Sequence, residues 1–181
     1  MLTLDVRLGG DVRALLEGGL TKAVARAARA GTRDGARTLR TRAARYVRGR
    51  KALPLRRVNE ALAVRRPARV SSLSDVTFSV RASGRPVPLS AYPVRQTRRG
   101  VAVRVNRQGG RKTLPGAFLV TLRTGHLGVF RRVGKPRLPI RELYSSTVAD
   151  TLRDREVPAE VLGAAAEAFA HTFRRLFPGA P

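Results

Sequence analysis

The chain has 181 residues, of which 43% are apolar and only 5% aromatic, and it contains neither cysteine nor tryptophan. Thirty-seven Lys plus Arg stand against 12 acids, giving a formal net charge of +25 and an isoelectric point near 12.0. Zero cysteines exclude disulfides, Cys-ligated zinc, iron–sulfur clusters and thiol chemistry, and no apolar run approaches the ~18 residues of a membrane span.

Nearly all of the cationic excess is arginine, the only lysines being Lys22, Lys51, Lys112 and Lys135. The acids sit toward the ends; between Asp34 and Glu142 only Glu60 and Asp75 occur. A field of this sign implies an acidic partner, either nucleic acid or acidic neighbours in an assembly. The bland alternative, a solvated basic surface, is self-repulsive at this charge on a domain this small. The start, MLTLDVRL, lacks the basic region and apolar core of a signal peptide, so the expectation is a soluble, non-secreted chain. The length implies one domain over residues 1–181, with a modest core built from Val, Leu and Ala.

In chain order, residues 2–8 alternate and predict a short strand ended by Gly9-Gly10. Asp11 is a good N-cap for a helix, its carboxylate able to accept from the free N–H groups of the first turn. Apolar or small residues recur at Val12, Leu16, Leu20, Val24, Ala27, Gly31, Gly35, Leu39, Ala43 and Val47, steps of three and four that mark one helix face. An unbroken helix from Asp11 to Arg48 would span roughly 55 Å at ~1.5 Å per residue. Gly31 and Gly35 weaken it but let another backbone approach. The opposite face carries Arg26, Arg29, Arg33, Arg37, Arg40, Arg42 and Arg45. Gly49 should end the helix. A second, short helix is expected from Leu53-Pro54 through Val64, closed by Arg66-Pro67.

Residues 75–82 then read as a half-buried strand with Val76, Phe78 and Val80 on one face. Pro86, Pro88 and Pro93 make residues 84–97 a loop or edge segment. Val101, Val103 and Val105 alternate as another strand, and Arg107 to Lys112 is a polar, basic, glycine-bearing loop. Leu114 to Ile140 reads as a β-hairpin entered through a Pro-Gly turn, with runs at Ala117–Leu122 and Leu127–Val133. Phe118, Val120 and Leu122 share one face of its first strand. On the second, Leu127, Val129, Arg131 and Val133 oppose Phe130 and Arg132. After Pro139 a helix is expected over Arg141–Leu152, with Leu143, Val148 and Leu152 as its apolar face. A last helix opens near Pro158, carries Val161, Leu162, Ala165, Phe169, Phe173 and Leu176 in one stripe, and stops at Pro178-Gly179.

The expected class is therefore α+β: a long N-terminal amphipathic helix packed on a small, mostly antiparallel β-sheet, with C-terminal helices. The divisions are 1–50 for the long helix, 51–70 for the short one, 71–140 for the sheet with its basic loops, and 141–181 for the C-terminal helices.

No catalytic or metal-binding pattern is expected. His126 and His171 stand in a turn and on a helix with no HExxH or HxE spacing around them. Ser145-Ser146 reads better as a helix cap than as a nucleophile. Asp150, Asp154, Glu156 and Glu160 read as partners of Arg153, Arg155 or the basic helix. The run from Gly128 to Pro136 superficially resembles a phosphate-binding loop, but its glycines are one residue too far apart and Pro136 stands where Ser or Thr must hold magnesium. The stretches Arg95–Arg99 and Arg107–Lys112 lack interleaved aromatics, so nucleic-acid contact there would be with backbone phosphate and without sequence preference. A solvated or subunit-facing loop is the competing reading.

The order of features as a whole resembles the minor tail protein Z family of tailed phages and prophages, the tail completion proteins of siphophages. The likeness covers roughly Leu15 to Phe177. It rests most on Leu114-Pro115-Gly116-Ala117-Phe118, followed by Val129-Phe130-Arg131-Arg132 and Leu138-Pro139-Ile140, and only loosely on Tyr92 to Arg111. The resemblance implies a structural virion protein, not an enzyme, with no cofactor and no metal. It would be assembled in the host cytoplasm and act at the head-proximal end of the tail. The partners it implies are copies of itself in a ring, often of six, the tail terminator or tail tube, and the head–tail connector. Genomic DNA would be met through phosphate contacts, and no membrane. The residues expected to face DNA or a neighbouring subunit are Arg98, Arg99, Arg107, Arg111, Lys112, Arg123, Arg131 and Arg132. A free-standing, non-sequence-specific nucleic-acid-binding protein is the alternative.

Overall fold

Small residues at steps of three and four give helix α1 (Lys22–Arg50) a flat face, and that face is where the rest of the chain packs. The computed structural model describes residues 1–7, 22–65, 76–153 and 159–177. The proposed cap Asp11 and the early stripe residues Val12, Leu16 and Leu20 lie outside them, as do Gly9-Gly10, Arg66-Pro67, Asp154, Glu156, Pro158 and Pro178-Gly179. From Val24 onward the expected stripe is buried, widened by Ala28, Thr32, Ala36 and Ala44. The helix runs through Gly49 to Arg50 instead of stopping at the glycine. Glycine alone does not end a helix when the backbone bonds continue, and Lys51 N–H still donates to the Val47 carbonyl.

Helix α4 (Ala159–Leu176) lies along α1. A β-carbon on Gly31 would stand 3.0 Å from the Phe169 carbonyl oxygen, and one on Gly35 3.0 Å from that of Ala165. The two glycines thus allow the close backbone approach that the sequence predicts. Across the same interface the Thr172 hydroxyl donates to Asp34 Oδ2 at 3.0 Å. Thr172 joins the buried stripe of α4, whereas Leu176, expected in it, is 45% exposed.

Phenylalanine, not only Val, Leu and Ala, fills the centre. Phe78, Phe169, Phe173 and Phe177 form a continuous ladder, with centroid separations of 6.4, 5.7 and 6.1 Å. Four of the six phenylalanines are spent there. Each buried ring contributes on the order of 1.5–3 kcal/mol.

The β-structure is antiparallel throughout the described residues, in four small sheets instead of one. The first holds β1 (Leu2–Arg7), β2 (Leu62–Arg65) and β3 (Thr77–Ala82), with β3 central. Helix α2 is consequently only Leu55–Glu60, because Leu62–Arg65 leaves the expected helix to pair with β3. Arg40, expected on the solvent face of α1, instead donates from Nη2 to the Asn59 carbonyl at 2.9 Å and ties α2 down.

Residues 84–97 hold the two-residue strand β4 (Val87–Pro88), a 3-10 turn at Leu89–Ala91 and strand β5 (Val94–Thr97). Strand β5 forms a hairpin with β6 (Gly100–Val103), which then pairs with β7 (Lys112–Pro115). Gly100, at φ +141, lies so close to the Leu114 carbonyl that no side chain could be placed there. Strands β8 (Ala117–Thr121) and β9 (Leu127–Arg132) form the predicted hairpin. The Pro-Gly turn before it is a switch point: Gly116, at φ +69, sends the chain from the β7 sheet into the β8 sheet.

Within the hairpin, Val129 and Ala117 face the core and are buried. Phe118 sits opposite Phe130, so its face is the Phe130–Arg132 face, and the two rings stack at 6.4 Å. The largest departure from expectation follows Pro139. Residues 140–145 are not helix but β10 (Ile140–Glu142) on the edge of β9 and β11 (Tyr144–Ser145) beside β4. Leu143 N–H donates to the Val129 carbonyl, and the Leu143 carbonyl accepts from Leu89 N–H. Those bonds hold the segment extended between two elements, and a helix there would forfeit them.

Helix α3 is only Val148–Arg153. Its cap is Thr147, not Ser145-Ser146: Asp150 N–H donates to the Thr147 hydroxyl, and Thr147 N–H donates to Asp150 Oδ2, both at 3.0 Å. The Thr147 hydroxyl, and then its N–H, hold the Asp150 carboxyl below its ordinary pKa. Thr147→Ala is expected to cost about 1 kcal/mol, a melting-temperature drop of about 2–4 °C for a chain of this size. A depressed folded-state pKa stabilises above the unfolded value and loses that contribution as pH falls through the folded value. The gap in melting temperature between wild type and Thr147→Ala should therefore narrow in acid, below the ordinary carboxylate range. A gap that widened in acid would contradict the reciprocal cap.

Candidate functional site

Two loop clusters bring most of the expected arginines into view, but not all to one place. The β5–β6 turn carries Arg98 and Arg99. The end of β9 carries Arg131 and Arg132, and the loop after it carries Lys135. These cations line one open depression of about 560 Å³. Gly100, Gly116 and Ala117 line it as well. All five cations are exposed, and none has an ion-pair partner among the described residues. No acid among the described residues lines the depression.

Local structure explains why these segments stand where they do. The Gln96 amide links them: Nε2 donates to the Thr97 and Gly100 carbonyls at 3.1 Å, and Oε1 accepts from Leu119 N–H at 2.8 Å. The turn bearing Arg98 and Arg99 is thereby tied to β8, which is paired with β9. The Arg132 guanidinium lies 5.9 Å from the centre of the Phe118 ring, a contact that limits its freedom without consuming its donors. Arg131 stands directly across from Arg141 on β10, and like charges so placed repel.

The nearest acid on this sheet is engaged elsewhere. Glu142 Oε1 is 2.9 Å from His126 Nε2, and the Tyr144 hydroxyl donates to Glu142 Oε2 at 2.8 Å. Donation to that carboxylate raises the Tyr144 pKa above its ordinary value. His126, which the sequence places in a turn without a role, is therefore a hydrogen-bond partner of Glu142 on β10.

The other expected residues lie apart. Arg123 is in the β8–β9 turn, at the far end of the hairpin from Arg131. Lys112 pairs with Val103, at the opposite end of its sheet from Gly100, and Arg111 precedes it. Arg107 N–H donates to the Arg50 carbonyl at 2.8 Å, beside a second, larger cavity of about 1270 Å³ lined by Tyr46, Arg50, Lys51, Asn106, Asp150 and Arg153 among others. Two of that cavity's cations are already hydrogen-bonded, Lys51 donating to Asn106 and Ser146 and Arg153 to the Met1 carbonyl, while Arg50 stacks 3.9 Å from the Tyr46 ring centre.

Sequence reasoning missed Gln96 and Lys135. Lys135 was legible as a cation in the Gly-Lys-Pro break, but nothing local marks Gln96, whose partner Leu119 is 23 residues away. The loop of Lys135 also exposes Val133 and Leu138, at 65% and 67%, so it projects apolar surface beside these cations. No described helix is long and apolar enough to cross a membrane, and no group of three or more His, Asp or Glu lies together among the described residues. Compared with protein-family models, curated proteins and solved structures, the chain matches none.

Proposed function

We propose that this chain is a structural protein of a tailed-phage or prophage particle. In this reading it completes the tail at its head-proximal end as a homo-oligomeric ring, of six subunits by the resemblance, and helps join tail to head. The observation that carries the reading is the set of cations Arg98, Arg99, Arg131, Arg132 and Lys135, unpaired among the described residues, on a chain of net charge +25. Repeated around a ring, such a surface makes a positive collar for DNA or for acidic connector subunits. The α+β architecture, with a long helix over small antiparallel sheets, is the one the resemblance implies. Val133 and Leu138, exposed on the adjoining loop, supply apolar surface of the kind that subunit contacts use.

Deletion of the gene should leave heads and tails that do not yield infectious particles. Normal infectivity would remove the proposal. The competing reading, a free-standing nucleic-acid-binding protein, is favoured by the same unpaired cations. A mass measurement with and without tail tubes separates the two: the proposal expects assembly on the tube, the competitor a monomer that ignores it.

A further inference from the structure

We propose that the depression between the β5–β6 turn and the end of β9 is a two-walled clamp for consecutive phosphates of a DNA backbone, held in register by Gln96. The inference rests on the reading above for bringing DNA to the protein, and on geometry for the surface that meets it.

Guanidinium forks match phosphate oxygens bidentately and desolvate more readily than ammonium groups, and four of the five cations here are arginines. They come from two segments, Arg98 and Arg99 from the β5–β6 turn, and Arg131, Arg132 and Lys135 from the end of β9 and the loop after it. Gly100, Gly116 and Ala117 line the depression with them and add no bulky side chain. An anion would also relieve the Arg131–Arg141 repulsion. The only aromatic lining residue, Phe118, lies under Arg132 and stacks on Phe130, so the clamp reads phosphate and not base. The Gln96 amide ties the β5–β6 turn to β8, the strand paired with β9, through uncharged bonds. It is a positioning residue: its loss alters geometry and leaves the charge untouched.

The test is binding of a short mixed-sequence duplex DNA, followed by fluorescence anisotropy over a salt series. Each phosphate contact contributes about 0.9 to the slope of log affinity against log salt. Arg98→Gln with Arg99→Gln, and separately Arg131→Gln with Arg132→Gln, are each expected to flatten the slope by about 1.8. Arg26→Gln with Arg29→Gln, which removes the same charge from the exposed face of α1, should leave it nearly unchanged. Gln96→Leu, with every cation retained, should weaken binding by about tenfold at fixed salt, the scale of one lost polar contact.

Equal flattening by the α1 pair and the wall pairs would overturn the clamp in favour of a diffuse field. Absence of DNA binding by the wild type would overturn it as well. A polyglutamate peptide that binds with the same wall dependence while DNA does not would assign the depression to an acidic protein partner and also overturn it. Should Gln96→Leu fail to fold, the wall pairs still decide. The tail reading is judged apart, by whether the protein is present in purified particles: a failed clamp leaves it standing, and a DNA-binding chain missing from particles removes it alone.

Discussion

Replacing Gly35 with valine is expected to destabilise the protein by about 2 kcal/mol or more, a loss of roughly 4–8 °C in melting temperature. A β-carbon at this position would lie 2.6 Å from Phe78 Cζ and 3.0 Å from the Ala165 carbonyl oxygen. Phe78 cannot yield easily, being 1% exposed and stacked on Phe169. The carbonyl belongs to α4 and can move only if the whole helix does. Valine adds two further methyl groups to that collision. The helix-propensity gain over glycine, a few tenths of a kcal/mol, is too small to offset overpacking of about 1–3 kcal/mol together with the strain passed to the phenylalanine ladder. Gly49→Ala is the opposite-sign control. A β-carbon there meets nothing within 4 Å, so the same helix should gain up to about 1 kcal/mol. Thermal melts of the two variants check both signs, and a Gly35→Val protein that melts with the wild type would refute the α1–α4 contact.

The second large effect is on assembly. Under the tail-completion role proposed above, Arg131→Glu with Arg132→Glu is expected to block head–tail joining and lower infectivity by orders of magnitude, while the isolated protein keeps its melting temperature or gains slightly. Both positions are exposed, and neither has an ion-pair partner among the described residues. A carboxylate at position 131 would face Arg141 across β10, turning a repulsive cross-strand pair into an attractive one worth some tenths of a kcal/mol. Loss of function with retained stability is therefore the signature of a contact surface. Unfolding of the variant would instead make these arginines packing residues. Complementation of a deletion, with thermal melts of the purified variant, distinguishes the outcomes.

How far the fold could be read in advance depended on the range of the forces involved. The α1 face was legible because periodicity is local: Val24, Ala27, Leu39 and Val47 must share a side of any helix that contains them. The β8–β9 hairpin was legible for the same reason, its two runs being separated only by a Gly-containing turn. Residues 62–65 and 140–145 were not. Each is short, and Ala63 and Leu143 suit a helix as well as a strand. Their state is decided by a waiting edge, β3 in one case and β9 with β4 in the other. Open hydrogen-bonding edges override weak propensity.

The sequence by itself determined the charge and its arginine character, the small-residue face of α1, the α+β class and the two strands of the hairpin, because composition and short-range period need no partner. Only the tertiary structure decided which arginines meet. Arg98 and Arg131 are neighbours around one depression because Gly116 redirects the chain between sheets and Gln96 bonds across to Leu119. Arg107, Arg111, Lys112 and Arg123, equally basic in sequence, fall at other loop ends. Side chains so far apart in the chain come together through backbone turns and long-range hydrogen bonds, and those carry no periodic signal.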